Sequence, residues 1–150
     1  MQTLVQSRKH PSYDDDLALW IDAQVQLLLD RRFSELDMEN LIAELDAMKK
    51  REIRALKNRL RVLIMHLLKC RYQPEHPQNK WRATLIEQRE RLAMLLEDSP
   101  SLRASLPEYA QQAYPIAVKL ASAETGLPAL AFPTENPFSI DQILDQYFTP

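Results

Sequence analysis

From Asp37 to Tyr72 the chain runs 36 residues without a glycine or proline, and its charge changes sign on the way. Asp37, Glu39, Glu44 and Asp46 come first. Lys49, Lys50, Arg51, Arg54, Lys57, Arg59, Arg61, Lys69 and Arg71 follow, with Glu52 alone against them. Such a stretch predicts one long helix, acidic at its start and basic toward its end, as the helix macrodipole favours. At 1.5 Å per residue it would be about 50 Å long. A compact globule of 150 residues is about 38 Å across. A kink, an elongated bundle or a partner is therefore expected.

The apolar positions of this segment locate the kink. Met38, Leu41, Leu45 and Met48 are followed by Ile53, Leu56, Leu60, Leu63 and Leu67. Helical spacing of three and four holds on both sides of a single five-residue step near Lys49. That phase slip predicts a kink or a change of packing partner there. Beyond Leu60 the helix is apolar nearly all round, which predicts the buried centre of the fold.

The remaining elements are shorter. Ser12 with Asp15 reads as a capping box for a first helix ending near Arg31. Its inward stripe would be Leu17, Trp20, Ile21, Gln24, Val25 and Leu28. Asp37 reads as the N-cap of the long helix. Pro74 and Pro77 break the chain after it. A third helix is expected from about Lys80 to Asp98, facing inward through Trp81, Leu85, Leu92 and Leu95. Ser99-Pro100 opens a short turn. Leu106 to Thr125 predicts a fourth helix, buried through Tyr109, Ala113, Ile116 and Leu120 and kinked at Pro115. Gly126 then supplies a left-handed cap. Leu127 to Phe138 contains Pro128, Pro133 and Pro137 and reads as an apolar strap, held by Leu130, Phe132 and Phe138. Ser139 with Gln142 caps a last short helix carrying Ile140, Ile143, Leu144, Tyr147 and Phe148. The expected architecture is an all-α multi-helix bundle around one long helix, with a loose arm at residues 1–12 and a single domain over 13–150.

Gly126 is the only glycine in the chain. Phosphate-cradling loops, dinucleotide fingerprints and nucleophile elbows need several, so those chemistries are excluded. Cys70 is the only cysteine, which fits a reducing compartment and a cytoplasmic location. Neither a secretory signal nor a membrane span is legible. Net charge is −2, but residues 1–48 carry −6, residues 49–91 carry +9 and residues 92–150 carry −5.

Several short motifs follow one another in a telling order: Tyr13-x-x-Asp16-x-x-x-Trp20; Leu36-Asp37-Met38-Glu39-Asn40-Leu41-Ile42; Arg59-Leu60-Arg61-Val62-Leu63; His66-Leu67-Leu68-Lys69; and Tyr72-Gln73-Pro74. Trp81-Arg82-Ala83-Thr84-Leu85, Leu96-Glu97-Asp98-Ser99-Pro100-Ser101-Leu102, Glu124-Thr125-Gly126-Leu127-Pro128 and Phe132-Pro133 complete the series. From Tyr13 to Pro150 the chain resembles family 29 of the bacterial domains of unknown function. The resemblance implies an all-helical fold and a bacterial origin, and no activity. That family often has glycine where Lys49 stands, an aromatic at Cys70 and an acid at Ala43.

Three constellations invite functional readings. The first is catalytic: His66 and Lys69 share a helix face, and Glu44 is the acid expected to join them in a hydrolase or transferase. The competing account is a buried histidine satisfied by a backbone carbonyl or a carboxylate, the latter an acid on the first or second helix, with Lys69 extending outward. The second is the basic stripe Lys49, Lys50, Arg54, Lys57 and Arg61, which could track nucleic-acid phosphates. A solvated face, or one docking the acidic first helix, is the plainer account. The third is Arg89, expected to pair with Glu44. No metal or cofactor is expected, because no Glu-x-x-His occurs and His10, His66 and His76 lack ligand spacing. The favoured reading is a non-enzymatic interaction or regulatory module that binds a protein partner or self-associates, with nucleic acid as the alternative and no role at a membrane.

Overall fold

The computed structural model describes residues 10–75 and 78–150. The expected arm lies mostly outside these residues, as does His76. All regular structure among the described residues is helical. Contacts gather into two units, residues 1–49 and 50–150.

The first unit is a helical hairpin. Helix α1 spans Leu17–Leu29, a 3-10 turn covers Phe33–Glu35, and α2 begins at Met38. The cap of α1 corrects the sequence reading. Asp16, not Ser12, is the N-cap, its carboxylate accepting from Leu19 N at 3.0 Å. Ser12 instead heads a turn, its carbonyl accepting from the amides of Asp15 and Asp16. The helix also stops earlier, at Leu29, and Arg31 follows with φ 55°. Asp37 does cap α2, accepting from Asn40 N at 3.3 Å.

Helix α2 runs from Met38 to Tyr72 without interruption. The division between the units falls between Lys49 and Lys50, where the apolar pattern slips. The five-residue step thus marks a change of packing partner inside a helix whose hydrogen-bond ladder continues.

The second unit contains the main core. The later part of α2 buries Leu56, Leu60, Leu63, Ile64, Leu67 and Leu68. Around it pack α3 (Asn79–Asp98), a 3-10 segment (Pro100–Ser105), α4 (Leu106–Thr125), a 3-10 turn (Ala129–Ala131) and α5 (Ile140–Leu144). Helix α4 has the expected bounds and passes through Pro115, but it is rotated from the expected face. Ala110, Ala113, Tyr114, Ala117 and Ala121 are buried, while Ile116 and Leu120 are exposed. Alanines permit a close approach that larger residues would block, so the small face turns inward. Gly126 closes α4 at φ 74°, its amide donating to Ser122 O.

The strap is anchored by Phe132 and Phe138, both buried, and by the Tyr114 hydroxyl donating to Pro133 O. Leu130, expected to anchor it too, is 97% exposed at the tip of the 3-10 turn. Helix α5 has the full Ser139–Gln142 capping box and buries Ile143. Tyr147 lies beyond its end and is almost fully exposed.

Candidate functional site

Glu44, His66 and Lys69 each have a local structural attachment. Glu44 belongs to the first unit, where its Oε1 accepts from the Tyr13 hydroxyl at 2.5 Å. His66 is 9% exposed, and its Nδ1 lies 2.9 Å from Val62 O, one turn back in α2. Of the two expected kinds of partner, a backbone carbonyl or an acid on the first or second helix, the structure shows the carbonyl, supplied by the histidine's own helix. Burial holds the imidazole below its ordinary pKa, with the nearby Lys69 charge acting in the same direction.

Lys69 does not extend outward as expected. It is buried, its Nζ paired with Glu124 Oε2 and placed 4.7 Å from the centre of the Trp81 ring. An ammonium held between a carboxylate and an indole face has its charge paired on one side and faced by an aromatic ring on another. The pair joins α2 to the end of α4, and Gln73 Nε2 donating to Thr125 O repeats the link one turn on. Sequence reasoning missed Glu124 as the partner. The only available signal was its place in the Glu124-Thr125-Gly126 motif. Cys70, next to this cluster, is sealed, and burial pushes its thiol pKa upward. That environment disfavours the nucleophilic thiolate.

Arg89 is buried, and it too departs from expectation. In place of Glu44 it bonds the end of α5: Nε donates to Ile143 O at 2.8 Å and Nη2 to Gln142 O at 3.1 Å. Desolvation lowers its pKa, while the two carbonyls satisfy donors that burial would otherwise leave bare. A guanidinium in this position closes the C-terminal helix onto α3.

The basic stripe is divided in character. Lys49, Lys50 and Arg54 are exposed. Lys57 Nζ sits 4.8 Å from the centre of the Tyr109 ring on α4, and Arg61 is half-buried with its Nε desolvated. Only the first part of the stripe presents free charge.

The first unit has a different kind of surface. Its helices are joined by a polar latch centred on Asp37. The Asp37 carboxylate accepts from Trp20 Nε1 at 3.0 Å and from Asn40 Nδ2 at 2.8 Å, while its amide donates to Gln24 Oε1 at 2.8 Å. Hydrogen bonds from Asn40, first of all from its side chain, lower the Asp37 pKa, and Trp20 adds to this. Tyr13 packs edge-on against Trp20 with ring centres 5.0 Å apart. Only Trp20, Gln24 and Leu27 of α1 are buried. Leu17, Ile21, Val25 and Leu28, expected inward, are between 43% and 48% exposed. On α2, Met38, Ile42, Leu45 and Met48 are open to a greater extent. The latch takes the inward direction of α1, and among the described residues of the first unit the stripe beside it stays exposed.

The family model of Domain of unknown function DUF29 matches residues 12–149. The chain belongs to that family. No curated protein and no solved structure matches it. The DUF29 motifs quoted above supply Tyr13, Asp16, Trp20 and Asp37 to the latch and cap of the first unit. They also supply Lys69, Trp81, Glu124 and Gly126 to the packing of the second. Among the described residues no three His, Cys, Asp or Glu side chains group as a metal site. No helix among them is long and apolar enough to cross a membrane.

Proposed function

We propose that this DUF29 protein is a non-enzymatic interaction module that docks a protein partner on the open apolar face of its first unit. The observation behind the reading is the exposure of a stripe of large apolar side chains on each helix of that unit: Leu17, Ile21, Val25 and Leu28 on α1, and Met38, Ile42 and Leu45 on α2. Contiguous apolar surface on this scale marks interaction sites in folded proteins. The engagement of Glu44 by Tyr13 and of Lys69 by Glu124 weighs against the hydrolase or transferase reading. The lone, buried Cys70 suits a reducing, cytoplasmic setting.

The free charge of Lys49, Lys50 and Arg54 supports nucleic-acid binding as the second reading. One capture experiment separates the two. The tagged wild-type chain and an Ile42→Glu/Leu45→Glu variant are each recovered from host lysate after nuclease treatment and a high-salt wash. A protein retained by the wild type and lost by the variant is the expected result, since apolar interfaces persist when phosphate contacts are screened away. In a parallel capture at low salt without nuclease, retention of nucleic acid that salt reverses and that Lys50→Glu with Arg54→Glu abolishes would replace the docking reading with the second one.

A further inference from the structure

Among the described residues of the second unit, two side chains that carry a positive charge are buried, Lys69 and Arg89. Lys69 is paired with Glu124. Arg89, 2% exposed, has no ion pair among the described residues. Its bonds go to the neutral carbonyls of Ile143 and Gln142, which engage Nε and Nη2 and leave the charge itself unpaired. Asp145 is the carboxylate whose charge bears on it. That group is exposed, and it accepts from the Tyr147 amide at 2.9 Å. A guanidinium taken out of water is costly, and buried charges are ordinarily paired.

The third nitrogen of Arg89 gives the direction in which an anion would come. Nη1 makes no hydrogen bond among the described residues, and it is not sealed in the way that Arg61 Nε is. It is therefore the edge that Arg89 turns to the cleft its side chain lines, a space of about 250 Å³ between α3 and the residues after α5. Arg82 lines the same cleft from two turns earlier on α3, exposed and without an ion pair among the described residues. Leu85 and Ile86 lie between the two arginines, and Ile86 is 53% exposed. Gln146, Tyr147 and Thr149 form the opposite wall. Gln146 Nε2 fixes that wall by donating to Glu90 Oε1 at 3.1 Å, and Phe148 packs edge-on against Phe138 beside it. No carboxylate is among the described residues lining the cleft.

We propose that this cleft binds a small organic carboxylate, its oxygens shared between Arg89 Nη1 and the Arg82 guanidinium and its hydrocarbon part resting on Leu85 and Ile86, a binding site independent of docking in the first unit. Charge-assisted hydrogen bonds select an anion, and a carboxylate offers a guanidinium two parallel acceptors. The apolar lining selects a hydrocarbon body, which free phosphate lacks. Pockets for drug-sized ligands begin at about 300 Å³, so the acid is smaller than those. Because Arg89 holds the end of α5 through its other two nitrogens, an acid bound at Nη1 stabilises that closure.

Titration of the isotope-labelled full chain, followed by amide resonances, tests this. Benzoate is the probe, benzyl alcohol its neutral counterpart and inorganic phosphate a bare anion. Benzoate should saturably shift the signals of residues 82–89 and 145–149 and slow amide exchange in α5. Arg82→Gln should weaken its binding about tenfold. Ile86→Glu should abolish it by giving both arginines a carboxylate from their own helix. Arg103→Gln, outside the cleft, should change nothing, and all three variants should keep the helical circular dichroism of the wild type. Absence of saturable shifts with benzoate overturns the inference. Benzoate affinity unchanged in Arg82→Gln or in Ile86→Glu also overturns it, by placing the ligand elsewhere. Benzyl alcohol binding as tightly as benzoate removes the recognition of charge, and phosphate binding as tightly removes the apolar part. Either result overturns an organic carboxylate as the ligand.

Discussion

Leu17, Ile21, Val25 and Leu28 on α1 and Leu56, Leu60, Leu63 and Leu67 on α2 have kindred helical spacing, and only the second set is sealed. The second unit folds three further helices and a strap over its stripe, which a core cluster of twenty residues fills. Among its described residues the first unit has two α-helices, joined through Trp20, Gln24 and Asp37, with Glu44 held by Tyr13 just before α1, so hydrogen bonds take the place that apolar packing has in the second. Amphipathic spacing therefore identifies which side of a helix is apolar. Whether that side is covered depends on how many elements surround it.

The contrast can be broken most directly in the core. Leu67→Ala should cost about 2–5 kcal/mol in urea unfolding, because α2, α3 and α4 cannot all collapse onto the space left. A loss below about 1 kcal/mol would mean that the second unit is not the packed body described. Next in size is Arg89→Met. It leaves Ile143 O and Gln142 O without a donor and should cost about 1–3 kcal/mol, with faster amide exchange in α5. The counterpart in the first unit is Trp20→Phe, which keeps a ring and removes the bond to Asp37. It should cost about 1 kcal/mol and accelerate exchange in α1.

A smaller effect is expected from pH. His66 has its folded-state pKa lowered by burial, so the unfolded chain binds the proton more readily. Stability should be level above about pH 6.5 and decline as pH falls from there toward the folded-state value. In His66→Leu this part of the decline should vanish, while stability at neutral pH changes little, because Val62 O keeps its helical donor. A decline unchanged in the variant would remove His66 as its cause. The smallest effect belongs to the open face. Ile42→Ala, measured at dilutions where no partner is bound, should shift stability by less than about 0.5 kcal/mol. A core-sized loss would show that the face is already occupied within the monomer.

The elements of this fold were largely legible because their signals are local. The α2 cap at Asp37, the α5 capping box, Gly126 and the bounds of α4 follow from neighbouring residues alone. The phase slip near Lys49 located the division between the units, since spacing records which partner each turn meets. What stayed illegible depended on contacts distant in sequence. The partners of Lys69 and Arg89 lie more than fifty positions away, and no periodicity names them. Asp16 displaced Ser12 as a cap through competition between adjacent capping residues, which spacing does not resolve. The exposure of the α1 stripe was hidden for the opposite reason: its residues have the pattern of a core, and nothing local distinguishes an exposed apolar stripe from a buried one.

Helix α2 crosses between the units with no loop at Lys49–Lys50. A cut there would strip four amides at the new helix start of their carbonyl partners. Recombination accordingly finds no seam in this chain at that point. Neither unit can be traded or duplicated as a cassette by a break at the boundary, and a change in the first unit's surface has to arise by point substitution on a helix that is already formed.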